Sequence, residues 1–138
     1  MNEIRIHHIG YLVKNIEKSI ELFRDMGYDV EFETVYDEWR DVDICFLVKD
    51  SYRIELVAPR SKSSAVGELR KKIGNSPYHI CYIVDDLDKA IAKFSEFHYV
   101  IWQDAHEAVA LNGRRVAFMI SGQVGMIELL ENTVKSDV

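Results

Sequence analysis

The sequence is short of the features that mark secreted, membrane-spanning or nucleic-acid-binding chains. It has two cysteines, Cys45 and Cys81, in 138 residues. They make neither a disulfide framework nor a CxxC motif, so a reducing, cytoplasmic setting is expected. Basic residues are outnumbered, 17 against 23 acidic ones, for a formal net charge of −6. Phosphate binding needs a basic stripe, which argues against nucleic acid as a partner. A small anionic substrate, which a local pair of arginines can hold, is still allowed. No stretch approaches the roughly 18 apolar residues of a membrane helix, so no membrane partner is expected. The opening, MNEIRIHHIG, has no apolar run behind a basic region and does not read as a signal peptide. Low-complexity segments are also missing. What remains is 48% hydrophobic and 29% charged, enough apolar side chain for the core of one ordinary domain.

What is present is a repeat. Residues 8–23, HIGYLVKNIEKSIELF, align with residues 79–94, HICYIVDDLDKAIAKF, at an offset of 71. Seven of the 16 positions are identical, and most others are conservative. Further on, Ile54-Glu55-Leu56 matches Ile127-Glu128-Leu129 at an offset of 73, so the second half carries two extra residues. Two strand–helix units that merely shared hydrophobic spacing would not also share a His and a Glu in the same order.

Each half reads as strand, helix, then three strands. Residues 4–13 are rich in β-branched side chains and predict a strand. Asn15 can cap a helix whose apolar positions Ile16, Ile20 and Phe23 follow helical spacing, and Gly27 stops it where a left-handed residue is cheap. Strands follow at residues 29–35, 42–49 and 53–58. In the second half, residues 78–84 are a strand and Asp86 takes the capping place of Asn15. Leu87, Ile91 and Phe94 make the buried stripe, and strands follow near residues 99–103, 114–121 and 125–131. Module one thus spans about 4–60 and module two about 77–131. Between them a linker, about 61–76, holds a short helix, Ala65–Ile73, that ends on Gly74. The tail, 132–138, is polar and expected to fray.

The repeat singles out His8 and Glu55 in the first half and His79 and Glu128 in the second. Two imidazoles and two carboxylates suit a borderline or hard divalent ion: Ni, Co, Zn, Mn or Fe. Four protein ligands on an octahedral ion leave two positions for water or substrate, as an enzyme requires. A metal also makes two buried carboxylates tolerable. His7 competes with His8 for the first place. Neighbouring strand residues face opposite sides, and the alignment with His79 selects His8. His98 and His106 have no repeat partner and read as surface or loop residues. Cys81, two residues from His79, shares its face and reads as a small buried apolar residue.

The motifs HHIGYLV, RIELVAP, YHICYIVDDLDKAI and GMIELLE resemble those of the vicinal oxygen chelate superfamily, in particular its glyoxalase I and methylmalonyl-CoA epimerase branches. The likeness runs from Ile6 to Glu131. It implies an α+β fold in which two tandem βαβββ modules form a curved, barrel-like mixed sheet around a metal site. It also implies a metal-binding His on the first strand and a Glu or Gln on the fourth strand of each module, which fall on His8, Glu55, His79 and Glu128. The implied chemistry is proton transfer α to a carbonyl through a metal-stabilised enediolate or enolate, with Glu128 as base and Glu55 as its counterpart. Asp43 stands on the third strand, where epimerases of this superfamily can carry a further acid; an ordinary strand acid is the alternative reading.

Two substrates fit this resemblance. The whole pattern is similar to short glyoxalase I proteins, which makes a lactoylglutathione lyase-type isomerisation of a thiol hemithioacetal the leading expectation. The alternative is racemisation of a 2-methyl acyl-CoA by an epimerase. The glutathione-holding Arg and Asn of bacterial glyoxalases would fall at Leu12 and Pro59, which departs from that pattern. A non-catalytic, antibiotic-binding member is a second alternative, although such members tend to lose the metal ligands. The superfamily usually pairs chains, and exposed strand edges need covering, so a homodimer is expected.

Overall fold

The computed structural model describes residues 4–133; the end of the polar tail, 134–138, lies outside them. The chain forms two compact units, His8–Tyr78 and the remainder of the described residues. No helix among them is long and apolar enough to cross a membrane.

Module one runs β1 (Arg5–Leu12), α1 (Ile16–Asp25), β2 (Asp29–Asp37), β3 (Val42–Lys49) and β4 (Tyr52–Pro59), with α2 (Ala65–Ile73) after it. Strands β2, β3 and β4 are antiparallel neighbours, and β1 lies parallel to β4. Module two runs β5 (Ser76–Val84), α3 (Leu87–Glu96), β6 (Val100–Glu107), a 3₁₀ turn at Val109–Leu111, β7 (Arg115–Ser121) and β8 (Gly125–Glu131). Its β6, β7 and β8 are antiparallel, and β5 lies parallel to β8. Each is the expected βαβββ unit, and the class is α+β.

The local signals explain the helices. Asn15 Oδ1 accepts the Lys18 N–H at 3.0 Å, and Asp86 Oδ1 accepts the Lys89 N–H at 3.0 Å. Each bond satisfies an end donor that the helix itself cannot, a contribution of about 1 kcal/mol. Gly27 takes φ +98° as α1 ends, a conformation that costs other residues strain. Beyond each helix an aromatic pair locks the return to the sheet: Phe23 against Tyr28 at 5.1 Å and Phe94 against Tyr99 at 5.0 Å, both edge to face.

Strand alternation gives each sheet two faces. In module one, Cys45 and Leu47 of β3 and Ile54, Leu56 and Ala58 of β4 pack with Val13 and Ile16. In module two, Ala117, Met119, Ile127 and Leu129 pack with Leu87, Ala90 and Phe94 of α3. These are the helix-covered faces. The intervening residues of each strand point to the opposite face, and the candidate site residues stand there.

Candidate active site

On that opposite face of module one, β1 presents His8, Gly10 and Leu12. Glu55 of β4 pairs in register with Gly10 on one side and Phe46 on the other. His8 Nε2 lies 3.4 Å from Glu55 Oε1. In module two Glu128 pairs in register with Cys81 and with Phe118, and His79 Nε2 lies 3.0 Å from Glu128 Oε1. Each imidazole is braced by a phenyl ring met edge to face: Phe46 at 5.2 Å from His8 and Phe118 at 5.1 Å from His79. All four polar side chains are buried, 1% to 4% exposed. The structure therefore brings each sequence-selected His to its own Glu, twice, in matching surroundings.

These distances suit metal ligation. Two donors about 2.1 Å from one ion and at right angles to each other are about 3 Å apart, close to the spacing in each pair. An imidazole nitrogen and a carboxylate oxygen are also the donor types that borderline divalent ions take. A buried carboxylate is costly unless it is paired or coordinates a metal, and each Glu here has an imidazole nitrogen beside it.

Around the pairs, Asp43 fits one of the two readings the sequence left open, and His106 departs from its reading. Asp43 has the strand parity of Cys45 and Leu47, so it stands on the helix-covered face, away from Glu55. There Arg60 holds it bidentately, with Nη2 donating at 2.9 Å and Nε at 3.1 Å. The hydrogen bond to Asp43, more than any other cause, raises the Arg60 guanidinium above its ordinary value, and Arg60 also caps the Tyr36 ring at 3.8 Å. This is the placement of the ordinary strand acid of the two readings. His106, read from sequence as surface or loop, lies within β6, which runs on to Glu107. It pairs with Val116, placing it on the face that carries His79 and Glu128. The signal was the alternation of residues 100–107, masked by the polar Gln103, Asp104 and His106. Cys81 is fully buried beside Glu128, as expected. Cys45 is buried on the helix-covered face, which holds its thiol above the ordinary value. It lines a cavity of about 400 Å³ with Ile20, Arg24 and Glu33.

The family model of the Glyoxalase/Bleomycin resistance protein/Dioxygenase superfamily matches residues 7–118, and the chain belongs to that superfamily. Among individual proteins it is similar to the uncharacterized protein YqjC of Bacillus subtilis, 24% identical over 130 residues, 92% of this chain and 91% of that protein. It is likewise similar to the ethylmalonyl-CoA/methylmalonyl-CoA epimerase of Cereibacter sphaeroides, 24% identical over 117 residues, 83% of this chain and 87% of the other. Among solved structures, a single-residue variant of the Streptomyces coelicolor methylmalonyl-CoA epimerase in complex with 2-nitronate-propionyl-CoA superposes with a TM-score of 0.80. The two are 25% identical, covering 96% of this chain and 97% of that one.

Proposed function

We propose that the chain is a metal-dependent acyl-CoA epimerase, acting on a 2-methyl-branched acyl thioester of the methylmalonyl type. The observation that carries this reading is the pair of equivalent buried His/Glu sets, His8 with Glu55 and His79 with Glu128. In this proposal all four hold one divalent ion. The named relatives favour acyl-CoA as substrate over the glutathione hemithioacetal that the sequence put first. So does Leu12, fully buried where a glutathione-holding Arg would stand. Retention of all four candidate ligands speaks against a purely sequestering role.

A proton α to a thioester is too weakly acidic for a free carboxylate to remove at a useful rate. A divalent ion in this site supplies positive charge where negative charge gathers on the thioester oxygen. Glu128 takes the α proton, and its burial keeps water from competing for it. For inversion Glu55 would begin as the carboxylic acid and give its proton to the opposite side of the carbon, ending as carboxylate while Glu128 ends protonated. Phe46 and Phe118 meet the two imidazoles edge to face and hold them in orientation.

The test is proton exchange. Metal-loaded protein in deuterated water should place deuterium on the α carbon of methylmalonyl-CoA and interconvert its two epimers. It should leave the hemithioacetal of methylglyoxal and glutathione unconverted. The opposite pattern would restore the lyase reading, and protein that retains no divalent ion on purification would sink both.

A further inference from the structure

The two modules match at the His, the Glu and the phenylalanine behind them, and they part company on the face beneath the helix. In module one, β2 pairs Phe32 with Phe46 and Val35 with Ile44. That step takes three residues on β2 and two on β3, so Glu33 and Thr34 stand together against Cys45. Such a bulge bends its strand and re-aims the side chains on it. Between the bulge and α1 lies the cavity of about 400 Å³, lined by Ile20, Arg24, Asp29, Val30, Glu33 and Cys45. Its floor is apolar. Cys45 is buried, Ile20 and Val30 are half-buried, and the Cys45 thiol donates to the Phe32 carbonyl oxygen at 3.4 Å. Its rim is charged, with Arg24, Asp29 and Glu33 all exposed.

Opposite charges thus line one cavity without meeting. Among the described residues, none of Arg24, Asp29 and Glu33 makes a side-chain hydrogen bond or ion pair. The fold does not ask for these charges. Module two builds the same bulge, pairing Gln103 with Phe118 and His106 with Val116, so Gln103 takes the place of Phe32 and His106 that of Val35. Val100 there takes the place of Asp29, and Ala117 that of Cys45. Ser95, 71 residues on from Arg24, turns back and donates to the Ile91 carbonyl oxygen at 2.8 Å. Only Glu33 has a charged counterpart, Asp104. The guanidinium and the carboxylate facing it across the cavity belong to module one alone.

We propose that this cavity binds a free α-amino acid with an apolar side chain. The ligand's carboxylate meets Arg24, whose planar fork suits it bidentately. Its ammonium group, with three donors, meets Asp29 and Glu33, and its side chain covers Ile20, Val30 and Cys45. A zwitterion satisfies both signs of charge at once, where a plain amine or a plain acid satisfies one. The volume lies near the lower end of the roughly 300–1,000 Å³ of small-molecule pockets, which suits a ligand of this size. Cys45 and Phe46 are neighbours on β3 and face opposite sides, so the cavity lies on the reverse of the sheet from His8 and Glu55. The proposal stands apart from the acyl-CoA reading.

The test is calorimetric titration of the whole chain with leucine, isoamylamine and 4-methylpentanoate, which share one branched alkyl group and differ in charge. Leucine should bind saturably, at one site per chain. It should bind about tenfold or more tighter than either of the others, the range of a lost charged hydrogen bond. Arg24→Met keeps helix propensity and an alkyl stem while removing the guanidinium. It should weaken leucine about tenfold or more and leave isoamylamine as it was. Glu33→Gln should weaken leucine and isoamylamine and leave 4-methylpentanoate as it was. Both residues are exposed, so both variants should fold, which thermal melts check. Absence of saturable leucine binding, equal binding of either single-charge compound, or leucine binding indifferent to both substitutions overturns the proposal. Leucine binding in protein that turns over no thioester would leave this site standing and remove the epimerase reading. Turnover of methylmalonyl-CoA without leucine binding would do the reverse.

Discussion

Replacing Glu128 with Gln isolates the step on which the proposed chemistry depends. The amide has nearly the shape of the carboxylate and keeps an oxygen where Oε1 lies 3.0 Å from His79 Nε2. Glu128 is 3% exposed, packed in a β8 run whose neighbours Ile127 and Leu129 are core residues. The exchange opens no cavity, so folding and metal content should survive. What the variant lacks is a basic oxygen. General-base catalysis contributes about 10²–10⁴-fold, equivalent to about 2.7–5.5 kcal/mol of barrier at about 1.36 kcal/mol per tenfold. The assay is mass-spectrometric deuterium incorporation into methylmalonyl-CoA, normalised to bound metal, with thermal melts run alongside. Exchange should fall at least about 10²-fold in Glu128→Gln and by less in Glu55→Gln. Near-normal exchange in fully metal-loaded Glu128→Gln would refute the assignment of the base. Suspicion would then pass to Glu55, since Asp43 stands on the other face of its sheet in the grip of Arg60.

Chelation of the metal should lower the melting temperature. An ion present at about 100 times its dissociation constant stabilises by about 2.7 kcal/mol, or roughly 10 °C for a chain of this size, and His79→Ala should melt like chelated protein. Gly27→Ala should cost about 1–2 kcal/mol in urea unfolding, because φ is +98° there and an added Cβ meets Lys49 Nζ at 3.1 Å; a variant as stable as the parent would show that this turn relaxes freely. Cys45 and Cys81 should resist an alkylating reagent at pH 8 in the native state and react in denaturant, because both are buried and burial raises the Cys45 thiol. A homodimer is the expected assembly, and sedimentation velocity returning the mass of a single chain across the micromolar range would overturn it.

The repeat made most of this architecture legible. Asn15 and Asp86 marked both helix starts, and the shared His, Val and Phe fixed which strand residues face the site and which the helix. The linker helix and strands β3 and β8 lie where patterning placed them. Strand β6 was harder to read. Expected to end near Gln103, it continues to Glu107, because paired backbone bonds to β7 outweigh the low strand propensity of Asp104 and His106. The two extra residues of the second half also find their places. The β3–β4 connection has two residues, Asp50 and Ser51, between the paired Lys49 and Tyr52. The β7–β8 connection has three, between Ser121 and Gly125. The other extra residue falls between β6 and β7, where the 3₁₀ turn Val109–Leu111 takes it up. Because both insertions lie in turns, neither shifts a strand by one residue, which would have moved Glu128 to the helix-covered face.

The comparison of the two modules separates what the site needs from what the fold needs. Both halves carry the same side chains at three places on the open face: an imidazole, a carboxylate beside it, and a phenyl ring against the imidazole. Where both carry apolar residues on the helix-covered face, the identities drift, as from Ile16 to Leu87 or Cys45 to Ala117, since a core requires volume rather than identity. The third class is the informative one: open-face positions equivalent by register yet opposite in character. Besides Phe32 against Gln103 and Val35 against His106, Arg53 stands two residues before Glu55, where Met126 precedes Glu128. Arg53 is fixed by Glu31, whose carboxylate accepts its Nε at 2.8 Å and its Nη2 at 3.2 Å. In the proposed site both halves would give an ion the same ligand types, and such a set cannot distinguish the two ends of a substrate. Selectivity therefore has to come from positions where the modules disagree. A swap of only those positions between modules should change what the protein binds while leaving the His/Glu pairs and the metal in place.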